Sequence, residues 1–130
     1  MDQLGAPRWA WELYDRDTLP LPRQQSFPDG APGWHRNFGG QGEIWELAGY
    51  TDIPSESPLP DDLARTLVHG YYACVTYVDR LVGEVLETLE RTGLTNSTTV
   101  VLWGDHGFKL ADFGSFCKHT NYEVDTHAPR

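Results

Sequence analysis

Over residues 61–92, apolar side chains recur at Leu63, Leu67, Tyr71, Val75, Val78, Val82, Val85 and Leu89, in steps of three or four. That spacing predicts an amphipathic helix, its stripe widened by Val68, Cys74 and Leu86. Pro60, Asp61 and Asp62 suit its start: a fixed φ, then two carboxylates at the positive end of the helix dipole. Gly93 stands where a left-handed residue closes such a helix. Gly70 and Gly83 each cost about 1 kcal/mol relative to alanine inside a helix, which predicts close approach of neighbouring backbone there. After a turn over 94–97, residues 98–103 (TTVVLW) form an unbroken β-branched and apolar run, the pattern of a parallel strand buried on both faces. A long helix, a short turn and a buried strand make one step of a layered α/β fold.

The carboxyl end of that strand carries Gly104, Asp105, His106 and Gly107. Ligands of open α/β sheets sit just outside the carboxyl ends of the strands. A carboxylate and an imidazole there, between glycines that let the backbone bend, are a candidate pair of metal ligands. The spacing alone equally fits Asp105 capping the turn with His106 packed beside it. By donor chemistry, Asp plus His suits zinc (Zn2+) or manganese (Mn2+), whereas calcium (Ca2+) prefers oxygen and does not call for a histidine in its shell. Residues 109–116 read as a glycine-punctuated loop ending near Lys118. Twelve residues after His106, the Lys118 ammonium can fold back to the pair, where a compact cation suits a sulfate or phosphate oxygen. Taken singly, it is also an ordinary solvent-exposed lysine. Residues 121–125 fit a short strand or the start of a helix.

The remaining features are less pointed. Residues 7–14 (PRWAWELY) suit a short helix opened by proline, with Trp9, Leu13 and Trp11 inward, followed by a turn and an extended segment to Pro22. Residues 23–42 show no period, and 43–50 suit one or two helical turns before the irregular 51–60. Compact domains rarely carry loops this long unless they lie against something else, and Trp34, Phe38 and Trp45 argue for packing. Residues 1–60 are therefore an irregular arm, and 61–130 a helix–strand–loop unit. Ten basic against nineteen acidic residues leave a net charge of −9, which argues against a nucleic-acid phosphate surface. No apolar run approaches a membrane span, and the N-terminus lacks the pattern of a signal peptide. Cys74 and Cys117 are too few for a disulfide framework; Cys74 beside the helix stripe reads as an inert buried thiol. His35, His69, His119 and His127 read as packed or surface residues. Asn96-Ser97-Thr98 matches a glycosylation acceptor, a tripeptide common by chance.

The segment WGDHGFKLADFGSFCKHTNYEVDTHAP resembles the late metal-and-sulfate segment of the sulfatase family: strand, D-H-G, loop, lysine, T/S-N-[FY]-[ED], then T-x-x-P. With HGYYACVTYVDRLVGEVLETLERTGLTNST upstream, the resemblance covers most of the chain and lies nearest the iduronate-2-sulfatase and choline-sulfatase-like branch. It implies an α/β, alkaline phosphatase-like layered fold and hydrolysis of a sulfate ester, of a sulfated sugar or a small molecule, by a formylglycine beside a bound calcium. By the same resemblance Asp105 and His106 match late metal ligands and Lys118 the lysine that contacts sulfate. The implied compartment is periplasmic, extracellular or lysosomal. The chain departs from the pattern at Ala111-Asp112-Phe113-Gly114, where relatives carry G-E-H-G, and at Lys109, where a small or apolar residue is common. No C-x-P-x-R or S-x-P-x-R occurs in these 130 residues, nor the early aspartate pair. The expectation is a middle-to-late piece of a sulfatase that needs the remainder of the domain and hydrolyses nothing alone. The alternatives are a metal-dependent phosphodiesterase or phosphomutase of the same superfamily, and a non-catalytic remnant that binds a metal weakly.

Overall fold

A computed structural model of the chain describes residues 5–30, 58–118 and 120–128. The predicted helical turns at 43–50, and Trp34, His35, Phe38, Trp45 and His119, lie outside the described residues.

The dominant element is the helix α2, Asp61–Arg91. It begins after Pro60, with Asp61 and Asp62 in its first turn, and ends before Gly93, whose φ of 71° is the left-handed conformation expected there. Its 31 residues make a rod about 46 Å long. Only the first half is buried, along Ala64, Val68, His69, Gly70 and Ala73. The predicted stripe holds at Leu63, Leu67 and Tyr71, which are half-buried, while Val75, Val78 and Val85 are exposed. The cause is cover: the buried apolar cluster packs on the N-terminal half of α2, and beyond it Trp9 reaches only as far as Tyr77 and Arg80.

Part of that cover is α1, Arg8–Trp11, which starts after Pro7. Ala10 is its fully buried residue, whereas Trp9, Trp11 and Leu13 stay 40%, 38% and 64% exposed. The expected inward set was therefore off by one position. Alanine faces α2 because a small side chain lets the two backbones approach. The Trp11 ring instead lies flat on His69, centroids 3.7 Å apart, and would meet a Cβ on Gly70 at ordinary van der Waals distance. His69 donates from Nε2–H to the Trp11 carbonyl at 2.8 Å; the carbonyl can only accept, which fixes that tautomer. His69 is thus a packed residue. Gly83 meets nothing within 4 Å, so the close approach predicted for it is absent among the described residues.

The chain then turns through Arg16–Thr18, capped by the Asp15 side chain, and runs extended to Leu19. Arg65 ties this segment to α2 by donating to the Leu19 carbonyl. Leu19, Leu59, Ala64, Val68, Ala111 and Phe116 form the buried apolar cluster, with Tyr72, Phe108 and Leu110 against it.

Beyond α2 and the turn Thr95–Ser97, residues 98–103 carry no strand assignment and pair with nothing among the described residues. Val100, Val101, Leu102 and Trp103 are all more than half exposed. Burial of this run was the expectation; a strand is buried by flanking strands and covering helices, and the described residues supply neither. The predicted loop 109–116 is a tight antiparallel hairpin, β1 (Lys109–Leu110) with β2 (Phe116–Cys117), Leu110 opposite Phe116. Its turn holds Ala111 and Phe113 at φ of 78° and 56°. The Asp112 carboxylate accepts from Leu110 N–H, and Phe113 N–H donates to the Gln24 carbonyl. A last short helix, α3, spans Glu123–Thr126, choosing helix over strand for 121–125.

Candidate metal and anion site

Asp105, His106 and Lys118 come together at the mouth of the hairpin. The Asp105 side chain is 83% exposed and the His106 side chain 34%. Asp105 turns one oxygen back to accept the His106 backbone N–H, and its other oxygen stands 3.3 Å from His106 Nε2. Lys118 folds back so that Nζ lies 2.8 Å from the same Nε2. The other ring nitrogen, Nδ1, lies 2.7 Å from the Gly107 carbonyl.

These contacts fix the protonation pattern. An ammonium can only donate and a carbonyl can only accept. Nδ1 therefore carries the proton and donates to Gly107, and the Nε2 lone pair faces Lys118. An imidazole that donates one N–H to a backbone carbonyl and offers the other nitrogen outward is the arrangement in which histidine binds metals. With the Asp105 carboxylate alongside, the pair fits a divalent cation as two of its ligands. The described residues contain no group of three or more side chains that would hold a metal by themselves.

Gly107 sits flush against the backbone of α3. A Cβ built there would fall far inside van der Waals contact with the Val124 carbonyl oxygen, so glycine is required by space. Its N–H donates to the Asp125 carbonyl at 2.8 Å.

Behind this lies a polar cluster that sequence reasoning missed. Lys109 is fully buried and its ammonium pairs with the Asp125 carboxylate, whose side chain is 2% exposed, at 2.5 Å. Thr120 donates to the same Oδ2 from its backbone N–H and from its hydroxyl. Asp125 Oδ1 is buried without a hydrogen-bond partner among the described residues. The only sequence signal was a lysine set between apolar neighbours at 108 and 110; nothing in the spacing names a partner sixteen positions on.

Phe113, at the position where a histidine was expected by resemblance, stacks on Tyr122 with ring centroids 4.6 Å apart. His127 is exposed and pairs with Glu123. Cys74 is partly buried on α2, and burial pushes its thiol up from the usual range. Tyr71, one turn earlier, is raised by burial first and by the Cys74 charge second. No helix among the described residues is long and apolar enough to cross a membrane.

The Sulfatase family profile matches residues 18–129. The chain is 30% identical to iduronate 2-sulfatase from Homo sapiens over 130 residues, covering 95% of this chain and 22% of that protein. It is 36% identical to the Mus musculus iduronate 2-sulfatase over 124 residues, with the same coverage of both chains. Choline-sulfatase from Rhizobium meliloti is 34% identical over 71 residues, which is 55% of this chain and 14% of that one. Among solved structures, a phosphonate monoester hydrolase from Silicibacter pomeroyi superposes with a TM-score of 0.74 at 29% identity, covering 98% of this chain and 25% of that one. The chain thus spans about a fifth to a quarter of the iduronate 2-sulfatases and of this solved structure, and its architecture is part of their α/β, alkaline phosphatase-like layered fold.

Proposed function

The chain belongs to the sulfatase family, and from that premise we propose that it supplies the late metal-and-anion segment of a hydrolase acting on sulfate esters. The observation that carries the proposal is the convergence of Asp105, His106 and Lys118 on one outward-facing point, with Nε2 left as a lone pair. Asp105 and His106 would hold a divalent cation, calcium by family resemblance. When bound, such a cation polarises a sulfate oxygen as a Lewis acid and templates the ester.

The remaining work falls to this chain's own side chains. Gly107 fixes the imidazole tautomer through its carbonyl. Asp105 adds the negative charge that a lone imidazole lacks. Lys118 donates from Nζ to a non-bridging oxygen of the ester and offsets charge that builds there. Lys118 and a cation cannot share the one lone pair of Nε2, so a loaded site leaves the ammonium free to face the anion. The 130 residues contain no nucleophile motif of this family. Turnover is therefore assigned to a whole domain, of which this chain contributes the segment described, and the organic part of the substrate, sulfated carbohydrate included, is selected elsewhere.

Nuclear magnetic resonance of the chain tests this. Added calcium is expected to shift His106 Nε2, and sulfate added afterwards to shift Lys118 Nζ, with Lys118→Met abolishing the second response alone. Sulfate shifts that persist in Lys118→Met, or a His106 ring indifferent to calcium, would refute the assignment. A second reading, hydrolysis of phosphorus esters with zinc or manganese, draws on the phosphonate monoester hydrolase likeness and on a donor pair containing nitrogen. A response to zinc with phenylphosphonate, and none to calcium with sulfate, would favour it.

A further inference from the structure

Asp125 has its side-chain bonds with Lys109 and Thr120, not with Asp105 or Lys118, yet the contacts around it lead to His106. Its Oδ2 gathers three donors: the buried Lys109 ammonium, the Thr120 N–H and the Thr120 hydroxyl. The Lys109 ammonium also reaches the Thr120 hydroxyl oxygen at 3.2 Å. These bonds pin the 120–125 turn to the floor of the β1 strand. The same turn presents the Asp125 carbonyl to Gly107 N–H, and the Val124 backbone blocks any retreat of Gly107 toward it. Gly107 in turn offers its carbonyl to His106 Nδ1.

We propose that Asp125 is a positioning residue, acting with Lys109 and Thr120, that sets the orientation and tautomer of His106 through the Gly107 peptide. A carboxylate suits the task because one oxygen must accept from three donors at once, and a buried ammonium supplies the charge that keeps it in an apolar surrounding. The pair fixes geometry; buried ion pairs contribute little net stability when compared with apolar residues of the same shape. Its catalytic meaning rests on the reading of His106 as a metal ligand, but the geometric claim is measurable without any metal.

The test uses two double variants of the whole chain, so that neither leaves an orphaned buried ammonium. Lys109→Met/Asp125→Asn keeps an acceptor oxygen at the Oδ2 position, with the amide nitrogen replacing the partnerless Oδ1. Lys109→Met/Asp125→Ala removes the acceptor. In the alanine variant, Gly107 amide exchange is expected to rise about tenfold or more while the α2 amides around Val68 stay protected. At one fixed pH, the His106 ring nitrogen shifts should then move from a single Nδ1–H form toward a mixture. The asparagine variant should keep the single form, with Gly107 exchange within about threefold of the parent. Gly107 exchange and a His106 tautomer indifferent to asparagine versus alanine at 125 would overturn the proposal. Should the alanine variant lose α2 protection as well, Thr120→Val decides, with Thr120→Ser as its conservative partner. Faster Gly107 exchange in valine alone, α2 intact, supports the assignment, and unchanged exchange in both overturns it. Loss of calcium binding with Gly107 and His106 unperturbed would count against the metal reading and leave the positioning claim standing.

Discussion

Gly107 has no room for a side chain, because a Cβ there would meet the backbone of Val124 and Asp125, while its carbonyl accepts from the His106 ring. Gly107→Ala is expected to push the α3 turn away, lowering the unfolding free energy by about 2 kcal/mol or more, at the upper end of ordinary substitutions. Denaturant unfolding would check it, and a change below about 0.5 kcal/mol would mean the loop relaxes freely. A second residue-scale prediction concerns pH. The folded chain holds Cys74 and Tyr71 in their neutral forms, because burial raises both. Raising the pH ionises them first in the unfolded chain. Their contribution is therefore whole below the unfolded thiol range, near pH 9, and is lost as pH rises through the folded values. Alkylation of Cys74, in a Cys117→Ser background, should be slower at pH 8 in the folded chain than in urea. Cys74→Ser should flatten the alkaline loss of stability. Spacing leaves a meeting of Asp105, His106 and Lys118 open, since a D-H pair and a lysine twelve positions on can converge, but it is the family resemblance that favours it over a capping aspartate and a surface lysine. The Lys109–Asp125 pair was not legible, because local sequence does not encode which two buried charges meet across sixteen positions.

Among the elements, α2 was the most legible. A three-four periodicity, a proline-acid start and a glycine stop all agree. Which of its faces is covered was not, because that depends on what docks there. α1 shows the difference. The periodic pattern chose tryptophans for the interior, but the helix–helix approach selected Ala10, leaving Trp11 to cap His69. His69→Ala removes a stacked ring and the only side-chain bond from α2 to the α1 backbone among those described. The expected cost is about 2–3 kcal/mol. It should appear as lost dispersion of the Trp11 indole resonance, with α2 helicity by circular dichroism largely retained. Equal loss of both signals would mean that α1 docking and α2 formation are one event. The 98–103 run reads as a buried strand, but among the described residues it is unpaired and its apolar side chains are exposed, because a strand's burial depends on what packs against it and not on the run itself.

At the scale of the whole molecule, α2 leaves Val75, Val78 and Val85 exposed and the run 100–103 leaves Val100, Val101, Leu102 and Trp103 exposed, with Leu86, Leu89 and Val100 lining one shallow hollow. Exposed large apolar side chains in such number mark contact surfaces. The −9 charge opposes self-association electrostatically, and salt weakens that opposition. The chain is therefore expected to self-associate at micromolar concentration and more strongly at high salt. Leu102→Lys/Trp103→Lys should stay monomeric in sedimentation runs; identical behaviour of the two proteins would show that the 100–103 run is not the adhesive surface. The α/β layering is recoverable from the helix–turn–strand order, and the family from the motifs after residue 103. What sequence order does not disclose is how self-contained the site is. The bonds that orient His106 and Lys118 all close between Asp105 and Asp125. Short loops close at small entropic cost and early in folding. A nascent chain is therefore expected to set the His106 imidazole against the Gly107 carbonyl before more distant segments fold, so that the local geometry of this loop precedes the rest of the molecule.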